Sequence, residues 1–335
     1  MKTESNFAVP QRVASMAAKA LLAMGLGMAA MLPAARAADY PTRPVNIIVP
    51  QTPGGANDII ARQIAESLNK IMNGNFVVVN KAGSGGNIGT EFAAHAAPDG
   101  YTLLLTISTH VINPFVYKSV GYDPVKDFEP IALLAVVPTV LVAHPSFPAN
   151  NMAELIALAK KQPGNIAYAH GGNGTINHIA GEKLKTETGI QLLSVPYRGA
   201  APALVDVLSG VVPIGFATLP STLEYINSGR LKALGISGAT RSAAAPRIPA
   251  IGETVPGFAI DLWVGLLAVA GTPKPIVASL EAAIAKALDS EALRKQFAGQ
   301  GAEPQRSSPA DFAAKIKSEL VMYKAVVQAS GATAN

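Results

Sequence analysis

The sequence predicts an α/β protein with two lobes, mainly parallel sheets and a cleft between the lobes. Short β-branched and aliphatic runs alternate with segments whose apolar residues recur at helical spacing, an order typical of parallel sheets with crossover helices. Glycine-rich turns repeatedly connect such a strand to the next helix. This order restarts after residue 138, and long β-prone runs at 131–144 and 262–270 link its two occurrences.

The first lobe is predicted to begin with three strands, each of which ends in a turn of small or polar residues. Proline and glycine dominate the first turn, and a helix with apolar residues at 60, 64, 68 and 71 follows it. The strands cover 45–49, 76–79 and 103–107, and the turns cover 50–55, 83–89 and 108–110.

The second lobe repeats this arrangement. Asn151 and Glu154 have the spacing of a capping box and predict the start of a helix. Glycine-rich turns connect the next two strands to helices, and Ser221 with Glu224 is predicted to begin the helix after the third strand. The four strands cover 166–169, 192–196, 212–217 and 231–236, and the two turns cover 171–175 and 199–202.

Three helices complete the chain after the return crossing. They are predicted to begin at Thr272-Pro273, near Ser290 and at Ser308. Trp263, within the return crossing, is expected to pack at the hinge. The predicted boundaries are a signal peptide at 1–37, a first lobe at 38–138 and 259–335, and a second lobe at 139–258.

The first 37 residues have the pattern of a secretory signal. Basic residues precede an apolar run over 20–32, and Ala35-Arg36-Ala37 places small residues at the two positions that signal peptidase reads. The run is shorter than the roughly 20 residues that a transmembrane helix needs. We therefore expect export to the periplasm with cleavage near Ala37, and an uncleaved N-terminal anchor is the alternative.

Composition narrows the functional classes. The chain of 335 residues has no cysteine, which excludes disulfides, thiol catalysis and cysteine-bound metals. The formal net charge of +5 belongs partly to the signal, and no cluster of Lys and Arg predicts nucleic-acid binding. An apolar fraction of 49% with 15% charged residues predicts a soluble protein with a well-filled core.

A strand that ends in a glycine turn and enters a helix is suited to binding an anion. The first N–H groups of the helix are unpaired, and the helix dipole places partial positive charge beside them. In doubly wound sheets these turns lie beyond the carboxyl ends of the strands, where ligands bind. Two facing lobes could hold both ends of a small dianion, although ordinary strand-to-helix connections remain the alternative. The four turns cover 53–58, 83–89, 171–175 and 199–202.

Known catalytic motifs are missing. Gly83-Ser84-Gly85 is not a nucleophile elbow because residue 82 is alanine, and no dinucleotide fingerprint, phosphate loop or His-Glu-x-x-His motif occurs. His170, His178 and Glu182 are a weak candidate for a metal site, and His178 is interpreted instead as the third helical residue after a Thr175 cap. The sequence therefore predicts a binding protein without a cofactor rather than an enzyme.

A series of short motifs extends along nearly the whole chain. They are Tyr40-Pro41-Thr42-Arg43-Pro44, Pro53-Gly54-Gly55-Ala56-Asn57-Asp58, Asn80-Lys81-Ala82-Gly83-Ser84-Gly85-Gly86-Asn87, Asp99-Gly100-Tyr101-Thr102, Tyr122-Asp123-Pro124, His178-Ile179-Ala180-Gly181-Glu182, Val195-Pro196-Tyr197-Arg198-Gly199 and Gly271-Thr272-Pro273. Together these motifs resemble one family, the extracytoplasmic, TctC-like solute receptors of tripartite tricarboxylate transporters, often called the Bug family. The resemblance implies a type II periplasmic-binding-protein-like fold that closes on its ligand, and transmembrane transporter subunits as partners.

The turns and the resemblance together define the predicted ligand-binding residues. Asp58 is also interpreted as a first-turn acid, and Arg198 as either a carboxylate partner or an exposed side chain. Three of the residues, Gln51, His170 and Thr218, differ from what relatives usually carry, so the ligand cannot be copied from any relative. The predicted residues are Gln51, Thr52, Gly54, Gly55, Asn57, Asp58, Gly85, Asn87, Ser108, Thr109, His110, Tyr168, His170, Gly172, Asn173, Thr175, Arg198, Gly199, Ala200 and Thr218.

The leading hypothesis is a monomeric periplasmic protein that captures a small mono- or dicarboxylate for a tripartite tricarboxylate-type transporter. Backbone N–H groups at helix N-termini would hold the carboxylate. A ligand-sensing receptor for a sensor kinase would use the same lobe closure and stays open as an alternative. A periplasmic hydrolase is the third hypothesis, and it would need a nucleophile and a base that the sequence does not reveal.

Overall fold

The computed structural model describes residues 40–54, 56–331 and 333. The predicted signal peptide lies outside these residues. Within them, no helix has the length and apolar character needed to cross a membrane.

The described residues form eleven strands and ten α-helices. The strands are β1 Val45–Val49, β2 Phe76–Asn80, β3 Thr102–Ile107, β4 Phe128–Val137, β5 Thr139–Ala143, β6 Ile166–His170, β7 Leu192–Pro196, β8 Ile214–Thr218, β9 Lys232–Ile236, β10 Leu262–Val269 and β11 Glu303–Pro304. The helices are α1 Ala56–Met72, α2 Asn87–Ala94, α3 Thr109–Val116, α4 Met152–Lys161, α5 Ile176–Thr188, α6 Ala200–Leu208, α7 Leu219–Asn227, α8 Lys274–Leu288, α9 Glu291–Gly299 and α10 Pro309–Ser330.

The strands assemble into two sheets, one for each lobe, as predicted. The first sheet has the order β11-β4-β10-β3-β1-β2, and the second has the order β7-β6-β8-β5-β9. Helices separate the sequential strands β1 and β2 in the first sheet, and β6 and β7 in the second. The α/β fold class is confirmed.

Each sheet is mixed, which corrects the expectation of mainly parallel sheets. Strand β1 pairs in parallel with β2 and β3, and β6 pairs in parallel with β7 and β8. The crossing strands β5 and β10 pair antiparallel with all their neighbours. They enter their sheets from the edge at which the helix-connected strands end, so they must run in the opposite direction.

The two sheets are joined at a hinge whose backbone is closely tied. Pro138 alone separates β4 from β5, and because proline has no N–H it ends one ladder and allows the chain to enter the other. Thr139 and Ser237 are fully buried and share a short side-chain hydrogen bond. Ser237 also donates from Oγ to the carbonyl of Ile260 at 2.8 Å. Ser237 therefore links the outward crossing at Thr139 to the return crossing at Ile260.

The C-terminal helix α10 contributes to both lobes. It packs against α3 beside the first sheet and against α5 beside the second. Trp263 is fully buried, stands edge-on to Phe312 with ring centroids 5.3 Å apart, and donates from Nε1 to Glu319 at 2.6 Å. Trp263 therefore packs within the return crossing, as its position in the sequence predicted.

Several helix starts agree with their sequence signals, and two do not. Asn151, Thr175 and Ser308 each accept a hydrogen bond from the third residue of their helix. Helix α7 begins after Thr218 and not at Ser221, whose hydroxyl instead donates to the carbonyl of Thr218 at 2.8 Å. Helix α3 was not predicted, because Pro114, which lies inside it, usually ends a helix.

Candidate functional site

The glycine-rich turns converge at facing edges of the two sheets. We call residues 50–55, 81–86 and 108 the first-lobe turns, and residues 171–175 and 197–199 the second-lobe turns. A Cβ placed on Gly86 would lie 3.5 Å from the carbonyl oxygen of Pro50, so two first-lobe turns pack together. A Cβ on Gly171 would lie 3.0 Å from the backbone N of Ala200, which brings the two second-lobe turns together.

One close approach places a turn of the second lobe next to a helix of the first. A Cβ built on Gly174, in a second-lobe turn, would lie 3.3 Å from Cγ2 of Val116, the last residue of helix α3. Gly174 has a φ of 76°, a left-handed conformation that glycine adopts most readily. The two lobes therefore meet where turn 171–175 contacts the C-terminal end of helix α3.

The first of these turns is stabilised from within its own lobe. Asp58 is 3% exposed and accepts hydrogen bonds from the N–H of Gly54 at 3.0 Å, from Arg62 at 3.0 Å and from Nδ2 of Asn80 at 2.9 Å. Burial alone would raise the pKa of Asp58, but the hydrogen bonds outweigh it and lower the pKa below the usual value. Asp58 thus acts as the first-turn acid, and the Gly54 N–H is already engaged.

The second turn holds its backbone in a left-handed conformation over four consecutive residues. The φ angles of Gly83, Ser84, Gly85 and Gly86 are 138°, 49°, 64° and 101°. Successive N–H groups in such turns form a concave surface that can bind anions. A Cβ on Gly85 would lie 2.5 Å from the hydroxyl of Tyr117, which leaves space only for glycine at this position.

A set of buried amide and hydroxyl groups faces this turn. Asn113 donates from Nδ2 to the carbonyl of Gly85 at 3.0 Å and to Oδ1 of Asn87 at 2.8 Å. Asn87 is 4% exposed and Ser108 is fully buried, yet Nδ2 of Asn87 and Oγ of Ser108 have no hydrogen-bond partner among the described residues. Oε1 of Gln51 is likewise buried without a hydrogen-bond partner among the described residues. These atoms can receive a ligand or an ordered water.

Comparison with known proteins places the chain in a family. The sequence model described as "Tripartite tricarboxylate transporter family receptor" matches residues 60–332. The protein BugT of Bordetella pertussis is 37% identical over 296 residues, which cover 88% of this chain and 91% of BugT.

The chain belongs to the tripartite tricarboxylate transporter receptor family.

Solved structures agree with this assignment. A Rhodopseudomonas palustris protein with adipate is 34% identical with a TM-score of 0.72, and the match covers 88% of this chain and 99% of that protein. MatC from the same organism, with bound malate, is 32% identical with a TM-score of 0.68, and the match covers 86% and 100%. The predicted family and the two-lobed receptor fold are thereby confirmed.

Four predicted site residues of the receptor point into their own lobe. His110 is 1% exposed, stacks on Tyr122 with ring centroids 5.4 Å apart, and has Nε2 3.1 Å from the carbonyl of Pro124. Tyr168 is fully buried and donates to Oε1 of Glu182 at 2.7 Å. Neither side chain reaches the cleft.

Burial also defines the environment of these two residues. It lowers the pKa of His110 to about 4 and raises the pKa of Tyr168 above its usual range. Gly181 allows Tyr168 to lie under helix α5, because a Cβ there would be 2.2 Å from Cε2 of the ring. The side chains of His110 and Tyr168 therefore support the receptor fold from within their own lobes.

His170 and Asp58 are the other two residues that face away from the cleft. His170 is fully buried, with Nε2 2.8 Å from the hydroxyl of Ser194 and Nδ1 3.0 Å from the carbonyl of Gly172. It lies beneath the turn that it was predicted to share with the ligand.

The remaining second-lobe residues lie at the cleft edge. Thr175 donates from Oγ1 to the carbonyl of Gly172 at 2.7 Å and caps helix α5, and Asn173 is exposed. Arg198 is exposed and has no ion-pair partner among the described residues. Gly199 has a φ of 122° and precedes Ala200, the first residue of helix α6, and Thr218 precedes helix α7.

The other predicted residues of the first lobe that the structure describes are at least partly exposed. Thr52 and Gly54 are exposed, and Asn57 and Thr109 are partly exposed at the starts of α1 and α3. Gly55 lies outside the described residues.

Two residues that sequence reasoning missed belong to the site. Asn113 holds Asn87 and Gly85 in place, and Oδ1 of Asn177, at the second position of helix α5, is buried without a partner among the described residues. An amide at the start of a helix that follows a glycine turn is the signal that could have identified Asn177. Asn113 carries no local signal, because its partners are 26 and 28 positions away.

No metal site is formed by the described residues, because no group of three His, Cys, Asp or Glu side chains converges. The candidate set of His170, His178 and Glu182 is occupied by other partners. Glu182 accepts from Tyr168 at 2.7 Å and from Lys185 at 2.7 Å, and both imidazoles contact the backbone of turn 171–175.

Two cavities lie beside the hinge and not at the facing turns. The larger, of about 740 Å³, lies between Pro138, Leu223 and the segment after α9. The smaller, of about 210 Å³, is lined by Arg241, Asp261 and other residues of both lobes. None of the predicted ligand residues that the structure describes lines either cavity, so they are separate from the candidate site.

Proposed function

We propose that this receptor captures a small mono- or dicarboxylate in the cleft between its lobes and delivers it to the membrane subunits of a tripartite tricarboxylate-type transporter. The observation that carries the proposal is the pair of buried polar atoms, Asn87 Nδ2 and Ser108 Oγ, for which the described residues offer no partner. A buried polar group without a partner is costly, and an anion bound at a helix start would satisfy it.

Two of the free groups in the first lobe can donate to an anionic ligand. The Nδ2 of Asn87 can only donate, and the hydroxyl of Ser108 can donate as well. On the opposite lobe, Arg198 has no ion pair within the described part of the chain and is available to a carboxylate. The similar proteins solved with adipate and with malate support a carboxylate in particular.

Lobe closure would complete the site. We propose that the first lobe comprises 38–138 and 259–335 and the second 139–258, with the hinge at Pro138 and near residue 260. The ligand would contact both lobes only in the closed form, which gives it the differential affinity needed to shift the population. The closed surface would then be the form that the transporter recognises.

Export precedes this role in the proposal. The pattern at Ala35-Arg36-Ala37 supports cleavage near Ala37 and release of a monomeric receptor into the periplasm. If the partner were a sensor kinase in place of the transporter subunits, the same lobe closure would be required. Pull-down with each membrane partner distinguishes the sensing role from the transport role.

A hydrolase is not favoured, although the structure brings one hydroxyl and one imidazole together. Ser194 Oγ lies 2.8 Å from Nε2 of His170. The imidazole is fully buried, its other nitrogen faces the backbone of Gly172, and burial lowers its pKa to about 4. A base of this kind is poorly suited to activating a serine at neutral pH.

A ligand screen tests the proposal. Thermal unfolding with malate, adipate and monocarboxylates should show stabilisation of about 3 kcal/mol at one hundred times the dissociation constant of a true ligand. NMR of the mixture should show the ligand unchanged, and small-angle scattering should show a smaller radius of gyration at saturation. Carboxylates that neither bind nor stabilise the protein would refute the ligand class.

A further inference from the structure

Two stacked histidines lie directly beneath the second-lobe turn 171–175. The imidazole rings of His170 and His178 have centroids 4.4 Å apart at an interplanar angle of 27°. His170 is fully buried and His178 is 5% exposed. Nδ1 of His170 lies 3.0 Å from the carbonyl oxygen and 3.3 Å from the N–H nitrogen of Gly172, and Gly174 N–H donates to Nδ1 of His178 at 3.2 Å.

The bond from Gly174 fixes the protonation state of His178. A backbone N–H can only donate, so Nδ1 of His178 must present its lone pair, and the neutral ring carries its proton on Nε2. This Nε2 lies 3.8 Å from Oε1 of Glu182. A second proton would have to bind at Nδ1, where it would break the hydrogen bond from Gly174.

The turn needs this external support because of its own conformation. Gly172 and Gly174 have φ angles of 123° and 76°, and glycine loses the most conformational freedom of all residues on folding. Neither glycine has a side chain that could hold the turn in place. Among the described residues, the hydrogen bonds within the turn itself run from the hydroxyl and the N–H of Thr175 to the carbonyl of Gly172.

We propose that His170 and His178 are positioning residues that hold the ligand-binding turn as a neutral pair, and that proton uptake by this pair releases the turn and weakens carboxylate binding. The inference rests on the proposed function, because it concerns the same cleft. Two imidazolium ions stacked at this distance would repel each other, and His178 would lose the hydrogen bond from Gly174 that now restrains the turn.

The groups around the two histidines shift their pKa values both downwards and upwards. Burial has the largest effect and lowers the pKa of His170 to about 4, and the neighbouring His178 acts in the same direction. The hydrogen bond with the Gly172 carbonyl and the charge of Glu182 oppose this shift. Burial also lowers the pKa of His178, again against Glu182 and together with Lys185. Tyr168 contacts the ring of His170 with centroids 5.4 Å apart.

The elements that pack around the pair carry further titratable groups. On the buried side of α10, which packs on α5, these are Glu319 and Tyr323, and Glu319 is engaged by Lys315 at 2.7 Å. In the adjacent second-lobe turn they are Tyr197, which donates to an aspartate in α6, and Arg198.

The direction of the pH effect follows from these shifts. Both imidazoles have a lower pKa in the held turn than the 6.5 of a free histidine. The held state therefore binds fewer protons than the released state, and its stability is complete above about pH 6.5. It is lost as the pH falls towards 4.

Two substitutions of His178 distinguish its role as a hydrogen-bond acceptor for the turn from its ability to take up a proton. His178→Asn keeps an acceptor near the position of Nδ1 but cannot titrate, whereas His178→Phe keeps a flat ring and removes the acceptor. His95→Asn is the control, because His95 is exposed and contacts only the backbone of Glu91 through its ring.

Hydrogen–deuterium exchange of segment 171–175 provides a readout that needs no ligand. At pH 7.5 we expect His178→Phe to lose protection about five-fold relative to the control, as expected for one lost hydrogen bond. His178→Asn should stay near the wild type. Between pH 6.5 and 4, the wild type and the control should lose protection, and His178→Asn should lose less.

The affinities for malate and adipate at the same pH values complete the test. Because protonation of the ligand affects every variant equally, the affinity of each variant is divided by that of the control at the same pH. His178→Asn should retain affinity at acidic pH relative to the control. Equal protection in His178→Phe and the control, or the same acid response in His178→Asn, would overturn the positioning role. If neither ligand binds any variant, the proposed ligand class fails, while the exchange data still decide the role of the histidines.

Discussion

Asn87→Asp should weaken ligand binding without unfolding the receptor. Asn87 is the first residue of helix α2 and is 4% exposed. Its Oδ1 accepts from Asn113 at 2.8 Å, while its Nδ2 has no partner among the described residues. Aspartate has the same shape and keeps the acceptor, but it replaces the free donor by a negatively charged oxygen.

The magnitude follows from the hydrogen bond that is lost. A hydrogen bond to a charged group contributes about 1.5–3 kcal/mol, which corresponds to a loss of affinity of about 10- to 150-fold. Repulsion between the new carboxylate and an anionic ligand adds to this loss. In the free protein, the cost of burying the charge is offset by its position at a helix N-terminus, so we expect stability to change by less than about 2 kcal/mol.

Isothermal titration calorimetry with malate and adipate measures the affinity, and urea unfolding measures the stability. Asn165→Asp is the matched control, because Asn165 is exposed at the opposite end of strand β6 from the cleft. An Asn87→Asp protein that is folded and binds as tightly as the control would refute the role of the Asn87 side chain. Equal weakening in both variants would indicate an effect of net charge alone.

Two further predictions concern stability. Gly181→Ala should lower the free energy of unfolding by about 1–3 kcal/mol, because the new Cβ would lie 2.2 Å from the ring of Tyr168. The control Gly299→Ala, with nothing near its Cβ, should change the free energy of unfolding by less than about 0.5 kcal/mol. Equal urea midpoints for the two variants would contradict this prediction. Trp263→Phe removes the Nε1 donor that lies 2.6 Å from buried Glu319, and it should lower the free energy of unfolding by about 1–3 kcal/mol. An unchanged unfolding midpoint in guanidinium chloride would count against a stabilising role of this hydrogen bond.

The order of strands, glycine turns and helices could be predicted from the sequence, because each depends on residues close together in the chain. The caps at Asn151 and Thr175 involve only the next turn of the helix, and the spacing alone identified them. The crossing at Pro138 was equally visible, since a residue without N–H must interrupt a strand ladder. The same local motifs indicated the family before any contact between lobes was known.

The structure alone decided which way the strands run and which side chains face the cleft. Strands β5 and β10 are antiparallel because of the edge at which they enter a sheet, and no local pattern encodes this edge. The sequence-based prediction assigned every polar residue of a turn to the ligand. It could not distinguish side chains that stabilise the turn from side chains that are free to contact a ligand.

The directions of individual side chains depended on partners far along the chain. Asp58 faces Asn80, Tyr168 faces Glu182, and His170 faces Ser194, at separations of 22, 14 and 24 residues. Sequence composition and motifs thus predicted a two-lobed receptor, and they predicted export and anion binding by the glycine turns. Which of their polar atoms remain unpaired at the cleft was decided by tertiary packing, because a buried polar group takes whichever partner the fold brings within hydrogen-bond distance.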